Sequence, residues 1–206
     1  MRSPRCSRTV FRKNLRNLVL LVLLVLLALV APVGVSAQIE HETRMTASRD
    51  YFEVSVSVNG ADPDLLFSNL SEGLTARLEY AVRVSHPRNP PLSLFGSRLL
   101  SEYRVIYYAR WDPFRDRYTI TTQDGGLFTF RDEDALWRFL FTLPHYRIPW
   151  HGIAASDAAA PPRYQVDTQV VYEPVVFVPG LSVLSVLLPH ARQSSPWERD
   201  YLEEPR

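Results

Sequence analysis

The sequence predicts a mainly β protein: an antiparallel β-sandwich with one docked amphipathic helix and one short helix. Three observations lead to this prediction. Apolar and polar residues alternate with a period of two along much of the chain, most clearly at Phe52, Val54, Val56 and Val58. The 16 prolines indicate many chain reversals and argue against a helical bundle. The predicted strands follow one another through short turns, as in antiparallel sandwiches rather than parallel α/β sheets.

The predicted strands are separated by turn-forming residues. They cover residues 39–45, 51–58, 74–85, 99–111, 118–122, 127–130, 164–172 and 175–178. Asn59-Gly60, Asp112-Pro113 and Asp124-Gly125-Gly126 are the turn signals between them. Residues 86–91 and 151–162 are predicted loops, the first because its prolines cannot join a hydrogen-bonded ladder. The tail after Pro189 is predicted to be polar and extended.

Two helices are predicted from their capping residues. Asp62 and Pro63 suit the start of a short helix, and Gly73 suits its end. The second helix is predicted to begin near Asp132, where acidic residues favour a helix N-terminus, and to stop at Pro144. Its apolar face comprises Ala135, Leu136, Phe139, Leu140 and Leu143.

Residues 1–37 have the pattern of a secretory signal peptide. A basic head precedes an apolar run over residues 18–30, and the segment ends in Val35-Ser36-Ala37. We expect cleavage between Ala37 and Gln38, a single β-sandwich-like domain over residues 38–200 and a polar tail over residues 201–206. The protein is then periplasmic or secreted. The basic residues of the head are Arg2, Arg5, Arg8, Arg12, Lys13 and Arg16.

The alternative is an uncleaved leader that anchors the protein in the inner membrane. The apolar stretch over residues 18–35 approaches the roughly 20 residues that span a bilayer. Pro32 and Gly34 weaken it as a helix and favour an extended, cleavable segment. In either case the rest of the chain is exported, because the basic head stays on the cytoplasmic side.

Charge and residue usage exclude several classes of function for the mature chain. The leader holds 6 of the 23 basic residues and none of the 22 acidic residues, so residues 38–206 carry a formal net charge of −5. This charge argues against nucleic acid and anionic lipid as partners. Cys6 and Lys13, the single cysteine and the single lysine, both lie in the leader. Disulfides, thiol catalysis and Schiff-base chemistry are therefore excluded for the mature chain.

The densest cluster of potential ligand-binding side chains lies on the predicted hairpin over residues 99–122. Aromatic rings and guanidinium groups on neighbouring strands suit the binding of a sugar ring or an anionic group. The same side chains also suit ordinary cross-strand packing with arginines at the rim, and the cluster has no specific spacing. This hairpin set comprises Tyr103, Arg104, Tyr107, Tyr108, Arg110, Trp111, Arg117 and Tyr118.

No motif indicates a catalytic, cofactor-binding or metal site. The 5 histidines show no ligand spacing, and His145 and His151 lie in a proline-containing segment. Gly-x-Ser-x-Gly, Ser-x-x-Lys and phosphate-loop motifs are absent from the sequence. A pair of carboxylates stays open as a hydrolytic site, because acidic residues are numerous and their positions in the fold are not known from the sequence.

Residues 48–200 resemble a bacterial family of exported proteins whose domain has no assigned function. The segments that carry the resemblance are residues 72–80, residues 102–108 with Asp116-Arg117-Tyr118, the helix start Asp134-Ala135-Leu136, and Ser195-Pro196-Trp197. The resemblance implies an exported domain with a Tyr- and Arg-rich hairpin followed by a helix. Some relatives are encoded beside membrane sensor kinases, which implies a role in the envelope or in signalling.

These observations lead to three expectations of function. The first is a non-catalytic binding or interaction module of the cell envelope, with a membrane or periplasmic protein such as a sensor kinase as its partner. The second is a carboxylate-based hydrolase that acts on a glycan or peptidoglycan fragment. The third is a structural envelope component held by an uncleaved leader. No cofactor is expected.

Overall fold

Two antiparallel β-sheets make up most of the described chain. The computed structural model describes residues 39–87, 96–150, 163–176 and 192–203. Two helices, α1 (Pro63–Ser71) and α2 (Glu133–Leu140), accompany the strands of these ranges. The strands are β1 (Glu40–Ala47), β2 (Tyr51–Asn59), β3 (Thr75–His86), β4 (Arg98–Asp112), β5 (Arg117–Thr122), β6 (Leu127–Phe130), β7 (Thr142–Pro149), β8 (Arg163–Glu173), β9 (Gln193–Ser194) and β10 (Glu198–Glu203).

The described strands are arranged as a small sheet and a large sheet. The small sheet has the order β1-β2-β7. The large sheet has the order β10-β8-β3-β4-β5-β6, and β9 also pairs with β8. Neighbouring strands run antiparallel throughout these sheets. The predicted fold class, mainly β and sandwich-like with two helices, is therefore confirmed.

The two sheets share an apolar core, which forms because apolar and polar residues alternate along the strands. Phe52, Val54 and Val56 of β2 and Leu78 and Val82 of β3 are almost fully buried in one cluster. Because successive side chains of a strand point to opposite faces, one face of each sheet is apolar and the other is polar. Burial of each such side chain contributes about 1.5–3 kcal/mol, which makes this core a main source of stability.

A buried polar contact joins the small sheet to the large sheet. Nε2 of His41 in β1 lies 3.1 Å from Oγ1 of Thr168 in β8, and Oγ1 of Thr43 lies 2.7 Å from the same atom. Burial lowers the pKa of His41 below its usual 6.5, although the nearby charge of Glu198 and the hydrogen bond with Thr168 act in the opposite direction. The ring is therefore neutral at pH 7.

The first helix follows its sequence signals closely. The side chain of Asp62 accepts hydrogen bonds from backbone N–H groups of the first turn, and Pro63 is the first helical residue. Gly73 follows the helix with φ of 83°, a conformation that glycine adopts without strain. Leu66 and Leu70 are fully buried and attach α1 to the core. The predicted start and end of this helix are confirmed.

The second helix is shorter than predicted, and an unpredicted strand follows it. Asp132 caps the helix as expected, but the helix ends at Leu140. Leu143 then pairs with Val56 as part of β7, so neither Leu143 nor Pro144 belongs to the helix. The prediction was wrong because Leu143 continues the helical spacing of apolar residues. The hydrogen bonds that make β7 a strand come from β2, which lies far away in the sequence.

The C-terminal segment forms part of the large sheet. β9 and β10 both pair with β8, and Ser195 between them exchanges hydrogen bonds with Val170. The strand β10 runs through Glu203, so the predicted domain boundary at residue 200 falls within a strand. The predicted leader lies outside the described residues. The predicted loops at 86–91 and 151–162 and the strand at 175–178 lie wholly or partly outside them.

Candidate functional site

The hairpin set does not form one surface, because alternation along β4 and β5 divides it between the two faces of the large sheet. Tyr107 and Tyr118 are buried in the core, and Tyr103 and Trp111 pack against it. The residues on the outer face are Arg104, Tyr108, Arg110 and Arg117. Half of the predicted binding residues therefore serve packing, as the alternative interpretation of the hairpin proposed.

Of the three arginines in the outer-face set, Arg104 is engaged with carboxylates, whereas Arg110 donates to Oγ1 of Thr119 and Arg117 donates to the carbonyl oxygen of Arg115. Arg104 donates hydrogen bonds to Glu102 at 2.7 Å and to Glu79 at 3.2 Å, and Arg77 also donates to Glu79. The hydrogen bond from Arg104 lowers the pKa of Glu102 below its usual range. A guanidinium with two carboxylate partners offers little attraction to a further anion. The surface around Arg104 therefore suits the predicted binding of an anionic group poorly.

A groove lies where the edge of the large sheet meets the edge of the small sheet. Its volume is about 940 Å³, which is within the range of ligand-binding sites in proteins. We call it the sheet-edge groove. The residues that line it are 104–107 of β4, 122–124 and Gly126 of the β5–β6 turn, Phe128 of β6, Phe139 of α2, and Leu143, Pro144, His145, Tyr146 and Arg147 of β7.

Aromatic rings line the sheet-edge groove. The ring of Phe139 lies with its centroid 5.6 Å from Tyr107 and 4.8 Å from Phe128. Burial, followed by the proximity of Tyr103 and Asp124, raises the pKa of Tyr146 above its usual 10. The Tyr146 hydroxyl is therefore protonated at neutral pH and available as a hydrogen-bond donor. The groove combines apolar ring faces with polar and charged side chains such as Arg104, Asp124 and Arg147.

A β-bulge shapes the side of the groove formed by β7. The pairing of β2 with β7 shifts between Val54 and Val56, and His145 adopts φ of 47° there. The carboxylate of Glu53 accepts hydrogen bonds from Arg147 at 2.9 Å and from His145 Nδ1 at 3.0 Å. These bonds, that of Arg147 foremost, lower the pKa of Glu53. The bulge therefore fixes the directions of the basic side chains at the rim.

A second concavity, the hairpin cleft, lies at the other end of the β4–β5 hairpin. It has a volume of about 540 Å³. The ring of Tyr118 lies with its centroid 4.6 Å from that of Trp111, with the two planes tilted by 54°, and its hydroxyl donates a hydrogen bond to Glu133 at 2.7 Å. Burial, followed by that hydrogen bond, raises the pKa of Tyr118 to about 12. The residues lining the hairpin cleft are Trp111, Arg115, Asp116, Tyr118, Arg131, Asp132 and Glu133.

Two further observations concern metals and membranes. Within the described ranges, no group of three or more His, Cys, Asp or Glu side chains is placed to hold a metal ion. Neither α1 nor α2 has the length and apolar character that a bilayer-crossing helix needs.

Sequence reasoning missed most of the sheet-edge groove. It identified Arg104 and Tyr107 but not Phe128, Phe139 or the residues of β7. Phe139 was recognised only as part of an apolar helix face. The pattern of one helix or strand does not reveal which strand edges meet. This site could have been found only if β7 had been recognised as a strand.

Comparison of the chain with models of protein families, with curated proteins and with solved structures gives no match.

Proposed function

We propose that this protein is a non-catalytic binding module that holds its ligand in the sheet-edge groove. The observation that carries the proposal is the groove itself, an open site of about 940 Å³ lined by aromatic rings on four structural elements. Phe128 is 42 % exposed although it lies on the groove side of an edge strand. An exposed aromatic residue beside a concave apolar surface is typical of a ligand-binding site.

The proposed setting is the bacterial cell envelope. The leader over residues 1–37 supports export, and the resemblance to exported bacterial proteins agrees with it. The net charge of −5 for residues 38–206 argues against nucleic acid as the ligand. A membrane or periplasmic protein, such as the exported part of a sensor kinase, is the partner that fits this setting best.

Two substitutions on β6 test the proposed site. Phe128→Arg places a charge in the groove, whereas Leu127→Arg places the same charge on the opposite face of the same strand. Leu127 is 59 % exposed and Phe128 is 42 % exposed, so both changes should leave the fold intact. The probes are a displayed library of random peptides of about seven residues, which span about 23 Å when extended, and a panel of soluble peptidoglycan fragments and oligosaccharides.

We expect at least one probe to bind the wild type and the Leu127→Arg variant equally and to lose binding to Phe128→Arg. Isothermal titration calorimetry measures the affinities, and circular dichroism checks the fold of both variants. If every probe that binds is indifferent to Phe128→Arg, the ligand does not occupy this groove and the proposal fails.

A second candidate function, hydrolysis of a glycan or peptidoglycan fragment, is favoured by the hairpin cleft. Three carboxylates, those of Asp116, Asp132 and Glu133, line this cleft together with Trp111. Binding without catalysis is preferred because Asp132 caps α2 and Glu133 accepts the hydrogen bond from Tyr118. Release of reducing ends from peptidoglycan by the wild type, and its loss in Asp116→Asn, would establish hydrolysis instead.

A third candidate, a structural component anchored by its leader, differs from the first in the mass of the mature protein. Cleavage after Ala37 leaves Gln38 as the new N-terminus. Intact-mass measurement of protein purified from the envelope distinguishes the two. The binding module proposed above predicts the cleaved mass.

A further inference from the structure

From the pairing of β4 we infer that the ligand of the sheet-edge groove is an extended polypeptide segment that adds as a strand to the open edge of β4. This inference rests on the proposed function, because it names the class of ligand that the same groove would hold. The ligand meant here is an uncharged segment with apolar side chains at every second position.

The strand β4 is paired along most of one edge but along only part of the other. It has 15 residues, and β3 pairs with it from Arg98 to Arg110. On its other edge, β5 pairs with it only from Tyr107 to Asp112. Among the described strands, none pairs with residues 102–105 on that second edge. An unpaired edge offers a row of backbone hydrogen-bonding groups to another extended chain.

The direction of these backbone groups follows from one hydrogen bond. The N–H of Gln123, in the turn after β5, donates to the carbonyl oxygen of Ile106 at 3.2 Å. In an antiparallel ladder the N–H and C=O of one residue point to the same side, and every second residue repeats that direction. The backbone groups of Arg104 and Glu102 therefore point towards the open edge, which is the side of β4 that β5 occupies further along the strand.

The facing side of the groove is a poor site for strand addition. Pro144 and Pro149 of β7 have no backbone N–H, and the bulge at His145 interrupts the regular ladder. An incoming chain would therefore pair with β4 alone. The prolines also restrict pairing between this edge and the β7 edge of a second copy of the protein.

The side chains around the groove define the chemistry of the peptide. A strand added beside β4 would direct alternate side chains towards the rings of Phe128, Phe139 and Tyr146. Arg104 and Arg147 at the rim already have carboxylate partners, namely Glu102 and Glu79 for the first and Glu53 for the second. An acidic ligand would therefore gain little electrostatic attraction from these arginines. Apolar side chains at alternate positions match the rings, and an uncharged backbone matches the edge.

The decisive experiment uses backbone-methylated peptides. A peptide is selected from the random library on the wild-type protein and resynthesised in two forms, each methylated on the amide nitrogens of alternate residues. One form blocks the N–H groups that would face β4, and the other blocks those that would face solvent. We expect one form to bind about tenfold to a hundredfold more weakly, as the loss of two hydrogen bonds predicts, and the other to bind like the parent.

A matched pair of variants tests the same hydrogen bonds by changing the protein instead of the peptide. Arg104→Pro removes an N–H that points to the open edge, whereas Arg104→Ala removes the side chain and keeps the N–H. We expect peptide affinity to fall with Pro relative to Ala. If Arg104→Pro fails to fold, the methylated peptides alone decide the question.

The possible outcomes separate this inference from the proposed function. Groove-dependent binding of oligosaccharides but not of peptides overturns the inference and leaves the binding module intact. Peptide binding that is equally sensitive to both methylation patterns also overturns it. A concentration-dependent dimer in sedimentation velocity that Arg104→Pro abolishes would make a second copy the occupant, against the inference. If no probe binds in a manner that depends on Phe128, the proposed function fails as well.

Discussion

The two faces of β4 carry similar residues with different roles. Tyr107 and Tyr108 are adjacent, but Tyr107 is 8 % exposed and Tyr108 is 36 % exposed. Burial raises the pKa of Tyr107, whose ring contacts Tyr80 and Phe139. On the opposite face, Arg104 forms ion pairs with Glu102 and Glu79. Residue type alone therefore did not indicate which part of the hairpin packs and which part contacts solvent.

The largest expected effect distinguishes the two adjacent tyrosines. Tyr107→Ala should lower the free energy of unfolding by about 3–5 kcal/mol, because it leaves a cavity between β4 and α2. Tyr108→Ala should change the same quantity by less than about 1 kcal/mol. Urea denaturation followed by fluorescence measures both. Equal losses would mean that the two faces are equally covered, contrary to the comparison.

The second prediction concerns the ion pairs of the outer face. Glu79→Gln should cost about 1–3 kcal/mol, because Glu79 is nearly buried and accepts hydrogen bonds from Arg77 and Arg104. The cost should shrink only slightly in 1 M NaCl, because salt screens nearly buried pairs much less than exposed pairs.

Two controls sharpen this prediction. Glu102→Gln changes a more exposed carboxylate of the same network and should cost less than about 1 kcal/mol. Tyr107→Ala, on the inner face, should be insensitive to NaCl. A loss for Glu102→Gln as large as that for Glu79→Gln would contradict the prediction.

The third prediction concerns the helix that covers the inner face. Asp132→Ala removes the N-cap of α2 and should lower the free energy of unfolding by about 1 kcal/mol. Asp132→Asn keeps an acceptor at the cap and should lose much less. Thermal unfolding of the two variants provides the comparison, and equal loss for both would assign the effect to the charge rather than to the cap.

The smallest expected effect is a change in pH dependence on the inner face of β1. The folded-state pKa of His41 is below the 6.5 of an unfolded chain, so the unfolded chain binds a proton first as the pH falls. Stability is therefore retained above pH 6.5 and is lost as the pH falls from there towards the folded-state pKa. In His41→Gln the melting temperature should decline less steeply between pH 7 and pH 5. An unchanged slope would assign the decline to other groups.

Much of the fold could be predicted because its signals are local. The alternation from Phe52 to Val58 and the caps at Asp62 and Asp132 each lie within a few residues of the element they define. The strand β7 could not be predicted in this way, since Leu143 fits a helix as well as a strand. Its conformation is settled by pairing with β2, which lies some 90 positions earlier in the chain, as between Ser55 and His145.

The candidate site was less predictable than the fold for the same reason. The sequence located a hairpin rich in aromatic and basic residues, and its alternation already implied two faces. The sheet-edge groove depends on the meeting of β4, β6, α2 and β7, none of which carries the site by itself. Phe128 and Tyr146 become part of one surface only through this assembly.

The contact between His41 and Thr168 spans 127 positions of the chain, which has a consequence for how the protein folds. The strand β1 cannot form this contact with the large sheet until β8 has been synthesised. Contacts of such large sequence separation slow folding, because the intervening chain must first be ordered. We therefore expect a polypeptide that stays incompletely folded while it is being synthesised, a property that the proposed export would require, and that acquires its final structure only after release from the ribosome.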